Sequence, residues 1–364
     1  MTIYIILLTS FFILRIVFSI NKKGKPFQDK KFVIIMAVLM GMILGLRGRN
    51  VGEDTASYIL IFEDVKKISF QDILQYGYNV PNFNPKYHGT VEMFFLLINK
   101  LISFISPNPY FMFLTIGLVT CLLFAKFIID NCDDYSLPVF VLMCDFIFMN
   151  AFNTMRQIFA MSIGIQAFYL IKKRKNIQAL LVILIASCRH SSAVIYLSLF
   201  VIAFLSNNKQ KYKLFKYCLT GCIILSLSLP ILASIVSAVS PRYSFYLTNN
   251  IWRASVGGIA ILWAIEFWLI LLMYFKRFKI KDSFEYSICI MIYLTFDIIA
   301  IQFSGISRIG WYFRVFLICF FPIALKYFRN VNSYIIRASI YILLGSIYLG
   351  YANNSARAYS FFWN

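Results

Sequence analysis

Histidine and acid are scarce in this chain. Of its 364 residues two are histidine and 15 are Asp or Glu, against 35 Lys plus Arg. So thin a ligand supply argues against a resident metal centre, and no cofactor is expected. A Mg²⁺ on Glu53 or Asp54 plus a substrate phosphate stays open, because Mg²⁺ needs only one or two protein carboxylates. The eight cysteines are scattered, several inside apolar runs (Cys121, Cys144, Cys289, Cys319). Cys218 and Cys222 share a helix face, but no spacing marks a disulfide framework or a zinc site. There is no internal repeat, no low-complexity segment and no polar stretch long enough for a separate soluble domain. The first twenty residues lack a basic start and a small-residue cleavage site, and read as a retained span rather than a removed signal.

What the chain has in excess is apolar surface. It is 60% hydrophobic with a mean hydropathy of +0.75, too apolar for a soluble domain. The fold class is all-α, a polytopic membrane protein of about 11–14 transmembrane helices. Residues 1–364 form one integral membrane domain. Candidate helices fall at 2–20, 32–46, 91–105, 109–129, 136–150, 155–171, 177–188, 191–205, 213–238, 256–275, 284–303, 308–327 and 334–351. Some are short enough to be broken or re-entrant, as around polar cavities. The formal charge of +20 is mostly lysine in short loops (Asn21–Lys31, Lys172–Lys175, Lys209–Lys216, Lys276–Lys281, Lys326–Arg337). This is a topology signal rather than a nucleic-acid surface, and it places those loops in the cytoplasm. Residues 47–90 then form an outer loop, with Tyr58–Leu74 patterned as an amphipathic helix on the membrane surface. Parity leaves 91–105 without a simple crossing, so it is expected to be re-entrant or interfacial.

Outward-facing cations are therefore the feature to explain, and they are arginines: Arg47, Arg49, Arg156, Arg189, Arg242, Arg253 and Arg308. Arg314 lies about 9 Å deeper along the helix of Arg308. Guanidinium stays charged and matches phosphate oxygens bidentately. Three clusters stand out. Arg47-Gly48-Arg49-Asn50-Val51-Gly52-Glu53-Asp54-Thr55 follows a span directly; it reads as part of an anion site, or as an interfacial anchor paired with Glu53 and Asp54. Gly48 and Gly52 permit turns that bring backbone close to a ligand. Asn153-Thr154-Met155-Arg156-Gln157 opens a helix, where free N–H groups and the positive helix end favour an anion; the alternative is a side-chain cap from Asn153 or Thr154. In Arg189-His190-Ser191-Ser192, His190 is either a general base near neutral pH or part of a hydrogen-bonded turn. His88 reads as a surface residue. Asp145, Glu266 and Asp297, inside spans, read as structural partners of cations rather than proton relays, and Arg314 is expected to pair with Asp297 or Glu266 or to serve the site.

In order along the chain, these motifs resemble the EpsG-type, Wzy-like polysaccharide polymerases of bacterial membranes. The likeness rests on Arg47-Gly48, Val51-Gly52-Glu53-Asp54-Thr55 and Tyr58, then Arg156-Gln157-Ile158-Phe159-Ala160, then His190-Ser191-Ser192-Ala193, with the basic Lys172–Lys175 loop between the last two. It covers about residues 30–205 by motif and the C-terminal third by hydropathy. The resemblance implies a GT-C-like glycosyltransferase in the bacterial cytoplasmic membrane, with its site facing outward. Its partners would be undecaprenyl-pyrophosphate-linked oligosaccharide repeat units, membrane lipids and a chain-length regulator. On that reading Arg47, Arg49, Arg156, Gln157, Arg189, Arg308 and Arg314 serve the pyrophosphate, Tyr58 stacks on sugar, and His190 or Asp54 activates the acceptor hydroxyl. The rival classes are a flippase for the same lipid-linked sugar, and another membrane transferase such as an O-antigen ligase-like enzyme.

Overall fold

The structure is a computed structural model that describes residues 1–19, 28–76, 91–228, 257–301, 306–328, 330–353 and 358–363. His88, Arg242 and Arg253 lie outside the described residues. Two compact units are present, Met1–Tyr196 with Ile340–Asn364, and Leu197–Ser339.

The first unit holds α1 (Thr2–Val17), α2 (Lys30–Gly45), α3 (Thr55–Lys67), α4 (Phe70–Tyr76), α5 (Met93–Ile105), α6 (Pro109–Asn131), α7 (Ser136–Cys144), α8 (Phe146–Asn150), α9 (Met155–Gly164), α10 (Gln166–Lys172) and α11 (Asn176–Arg189). Local chemistry sets several starts. Asp29 accepts the N–H groups of Lys31 and Phe32 at the head of α2. Asn108 accepts Tyr110 N–H while Pro109 takes the first position of α6, the preferred pairing of side-chain cap and proline. Asp145 breaks the expected 136–150 span: it ends α7 and accepts Ile147 N–H at 3.2 Å to start α8. This gives it a structural role as a helix cap.

The backbone of the unit is the antiparallel pair α2–α6. Gly41, Gly45 and Gly117 make the close approach possible. A Cβ on Gly41 would come within 2.8 Å of the Leu118 backbone, and one on Gly117 within 2.9 Å of the Gly41 carbonyl. Small residues at such a seam are the usual means of close helix packing in lipid.

The parity problem at 91–105 resolves here. Both ends of α5 sit at the Arg47 end of the α2–α6 pair. At its start Phe95 meets Tyr58, and beyond its end Pro107 accepts a hydrogen bond from Lys66 of α3 at 3.1 Å. Lys100 Nζ reaches the Lys66 carbonyl at 3.0 Å, a cation closing the C-terminal end of α3. At 13 residues, α5 spans about 20 Å, short of a ~30 Å hydrocarbon core. Helices α3, α4 and α5 thus form a layer across one end of the unit, with the buried core Tyr58, Phe62, Val65, Phe95, Phe113 and Met155 beneath. The expected amphipathic segment is two helices, separated at Ile68–Ser69.

The second unit holds α12 (Ser198–Ser206), α13 (Lys211–Leu227), α14 (Gly257–Phe275), α15 (Ser283–Ala300), α16 (Ser307–Arg314) and α17 (Leu317–Leu325). Helix α18 (Asn330–Ala352) begins here, and its residues from Ile340 belong to the first unit. Helix α15 is largely enclosed, and α16 and α17 bend by 49° at their junction. Among the described residues three helices are long and apolar enough to cross a membrane (Pro109–Asn131, Ser283–Ala300, Ser333–Ala352), and the bent pair makes a fourth. The fold is all-helical and multi-pass, with many of its apolar runs delivered as short or broken helices.

Candidate functional site

The Arg47–Thr55 motif is a turn built from close backbone approaches. Gly48 N–H donates to Ser360 O at 2.8 Å and Phe362 N–H to Leu46 O at 3.1 Å, so a tail strand lies across the turn and Arg47 bridges to Phe361. Gly52 has φ +85° and sits against Phe152 and Asn153, a conformation that favours glycine. Glu53 N–H then donates to Asn153 Oδ1 at 3.0 Å, and Thr55 Oγ1 donates to Val51 O. The two glycines bring backbone close, and what they approach is protein.

Arg47 points inward. It is 1% exposed, with Nη1 on Ala151 O at 3.2 Å, Nη2 toward Met155 Sδ at 3.7 Å and its guanidinium 4.4 Å from the Phe113 ring centroid. Among the described residues its Nε has no hydrogen-bond partner. Beside it lies a void of about 10 Å³ lined by Leu44, Phe113, Thr120 and Ile158, room for about one water. Burial pushes Arg47 down to about 10, so it remains cationic at neutral pH. Arg49 is exposed.

The second and third motifs meet. Arg156, in the first turn of α9, places Nη1 2.5 Å from Glu92 Oε2. His190, which caps the C-terminal end of α11, places Nδ1 2.5 Å from Glu92 Oε1. Glu92 therefore uses one oxygen for each. Its side chain is 13% exposed, against 20% for Arg156 and 26% for His190. Burial alone would raise the Glu92 carboxyl; the His190 hydrogen bond and the Arg156 charge outweigh it and hold the group below the usual carboxylate range. Tyr58 acts electrostatically on Arg156 and donates its hydroxyl to Asn153 O at 3.3 Å. Arg189 follows on the same side, with Nη1 on Phe94 O at 3.1 Å and its guanidinium over the Phe94 and Phe159 rings. Asp54, half-buried at the N-cap of α3, is near enough to act electrostatically on Arg47 and Tyr58.

Capping does not account for Asn153 and Thr154. The N-cap of α9 makes no side-chain capping bond; Thr154 Oγ1 donates to Asn150 O at 3.0 Å and Asn153 Oδ1 is taken by Glu53. Gln157 is buried next to Arg156.

The structure thus brings together Arg156, Tyr58, His190 and Arg189, with Asp54 and Arg47 adjoining. It adds Glu92, which belongs to none of the three motifs. The signal that could have singled it out is position: a lone carboxylate immediately before an apolar run. Arg308 and Arg314 lie in the second unit. Arg308 is exposed. Arg314 is buried, bonded to Tyr293 Oη at 2.6 Å and 3.5 Å from Asp297, which also accepts Trp263 Nε1–H at 3.3 Å. This is the Arg314–Asp297 pair the sequence suggested.

Such a cluster can bind an anion through guanidinium groups and accept a proton at imidazole. No curated protein and no solved structure matches the chain. The EpsG family model matches residues 30–364, extending through the C-terminal third, where the sequence alone offered only hydropathy. The chain belongs to the EpsG family, bacterial multi-pass membrane proteins associated with exopolysaccharide biosynthesis.

Proposed function

We propose that this protein polymerises polysaccharide by joining lipid-linked oligosaccharide repeat units at the outer face of the membrane. The observation that carries this reading is the convergence of Arg156 and His190 on one small region, beside Tyr58 and Arg189, within a family tied to exopolysaccharide synthesis.

The acceptor hydroxyl of an incoming unit attacks the anomeric carbon of the growing glycan. A new carbon–oxygen bond forms there as the bond to the undecaprenyl pyrophosphate oxygen breaks, and the pyrophosphate leaves with the electron pair. The hydroxyl proton passes to His190, the general base. Arg156 and Arg189 stabilise charge developing on the leaving group. Asp54 is assigned to the electrostatic support of Tyr58 and Arg47. Arg47, enclosed as it is, holds the turn under Ala151 rather than touching substrate.

The test is incubation of the purified protein with lipid-linked repeat units, with and without EDTA. A ladder of lengthened lipid-linked glycans is expected, absent with Arg156→Ala while single units accumulate. Normal polymer from a stably folded Arg156→Ala protein would overturn the reading. So would reconstituted vesicles that move labelled lipid-linked sugar without lengthening it.

A further inference from the structure

Glu92 is the carboxylate on which the site turns, although it belongs to none of the motifs. It stands at the entrance to α5, between the first turn of α9 and the last of α11, and each oxygen has a separate partner at 2.5 Å. A carboxylate held below its usual range accepts hydrogen bonds and does not donate. The ring nitrogen facing it must therefore be the one that carries hydrogen. In a neutral imidazole only one nitrogen is protonated, and which one is set by the bond the other makes.

We infer that Glu92 is a positioning residue for His190: by accepting the Nδ1 hydrogen it fixes the ring and the tautomer, leaving Nε2 as the proton acceptor. The assignment rests on the base reading of His190. The same carboxylate spaces Arg156 from the imidazole, so that a guanidinium and a base stand side by side with an anion between them. The charged groups around the ring are Glu92 from the α5 entrance, Arg156 from α9 with Tyr58 of α3 behind it, and Arg189 from α11 itself. Helix α10, also packed on α11, carries Tyr169 and Lys172 in the turn leading to the lysine loop. Glu92 is thus the anion that offsets Arg156 at this base.

His88 and His190 are the only histidines in the chain, so the inference has a readout that needs no turnover. Nitrogen-15 histidine spectra of the full-length protein in nanodiscs contain two rings, assigned by His88→Gln. The wild-type His190 ring is expected as the Nδ1–H tautomer at neutral pH. Glu92→Gln should mix the tautomers, and Glu92→Asp should restore the Nδ1–H form in part. In the polymerisation assay, Glu92→Gln should lower kcat about 10-fold or more with a smaller change in KM. Adding Glu92→Gln to His190→Gln should cost nothing further. An unchanged tautomer in a folded Glu92→Gln protein, or additive losses in the double variant, would reduce Glu92 to an ionic staple between helices. Should Glu92→Gln fail to fold, Glu92→Asp decides on the same spectra. A wild-type protein with the Nδ1–H ring, lost in Glu92→Gln, but no polymerisation would refute the proposed function and leave the pairing intact.

Discussion

Arg47 and Arg156 are both arginines near the same end of the first unit, and Tyr58 acts electrostatically on each, yet their surroundings differ in kind. Arg47 is enclosed and meets a carbonyl, a thioether and aromatic rings. Arg156 is partly open and meets a carboxylate shared with a titratable ring. A guanidinium spent on backbone and rings fixes a turn. One balanced by a displaceable anion beside a base is placed to exchange partners. The contrast separates holding from reacting, although the sequence presents both as the same outward cation.

The largest expected effect lies on the reacting side. Arg156→Ala should cut polymer formation by at least about 100-fold, with a much smaller change in melting midpoint, checked by product ladders beside thermal melts in detergent. Arg47→Ala should do the reverse. Removing the buried side chain and the bond to Ala151 should cost about 2–4 kcal/mol of stability, while activity per folded molecule stays within a few-fold. If Arg47→Ala folds normally and is inactive, the division between the two arginines fails. Gly45→Leu, which drives a side chain into Leu114, should destabilise by about 1–3 kcal/mol and slow the reaction only by displacing the Arg47 turn.

A fourth prediction follows from the lowered carboxyl of Glu92. A group lowered on folding contributes stability fully above its unfolded value, about 4.3, and loses it as pH falls through the folded value. The melting midpoints of wild type and Glu92→Gln should therefore differ most above about pH 5 and converge in acid, read from thermal melts across pH. Arg49→Ala, at an exposed position, should change neither melting nor product length.

The helices were legible in the sequence because lipid makes apolar runs and cationic loops informative. The 155–171 run is there as α9 and α10, and the 308–327 run as α16 and α17. Their breaks were not legible: the stop at Asp145 and the bend after Arg314 depend on which buried groups find partners. In α5 hydropathy indicated a helix and loop parity a re-entrant or interfacial one, and its neighbours place both ends on one side. At the site, Arg156 and His190 were legible as types suited to anion and proton chemistry. Their meeting was not, since it depends on Glu92, whose only mark is its place before Met93. Gly41 and Gly45, four apart, were visible as small residues, but Gly117 declares their purpose only once α6 lies against them. Arg47 was misleading for a physical reason: an arginine after a span is ordinarily drawn to water, and here the turn at Gly48 and the tail across it turn the side chain inward.

That tail has a consequence for biogenesis. Tyr359 donates its hydroxyl to Ile43 O across 316 positions, and Ser360 and Phe362 complete the turn at Leu46–Gly48. During stepwise insertion α2 enters the membrane long before residues 359–362 emerge from the ribosome. Through most of synthesis the backbone groups of Leu46 and Gly48 therefore wait open. Such a wait slows assembly, because long-range contacts form only after the intervening chain has been ordered. The turn is therefore closed last, by the end of the chain it was made far ahead of.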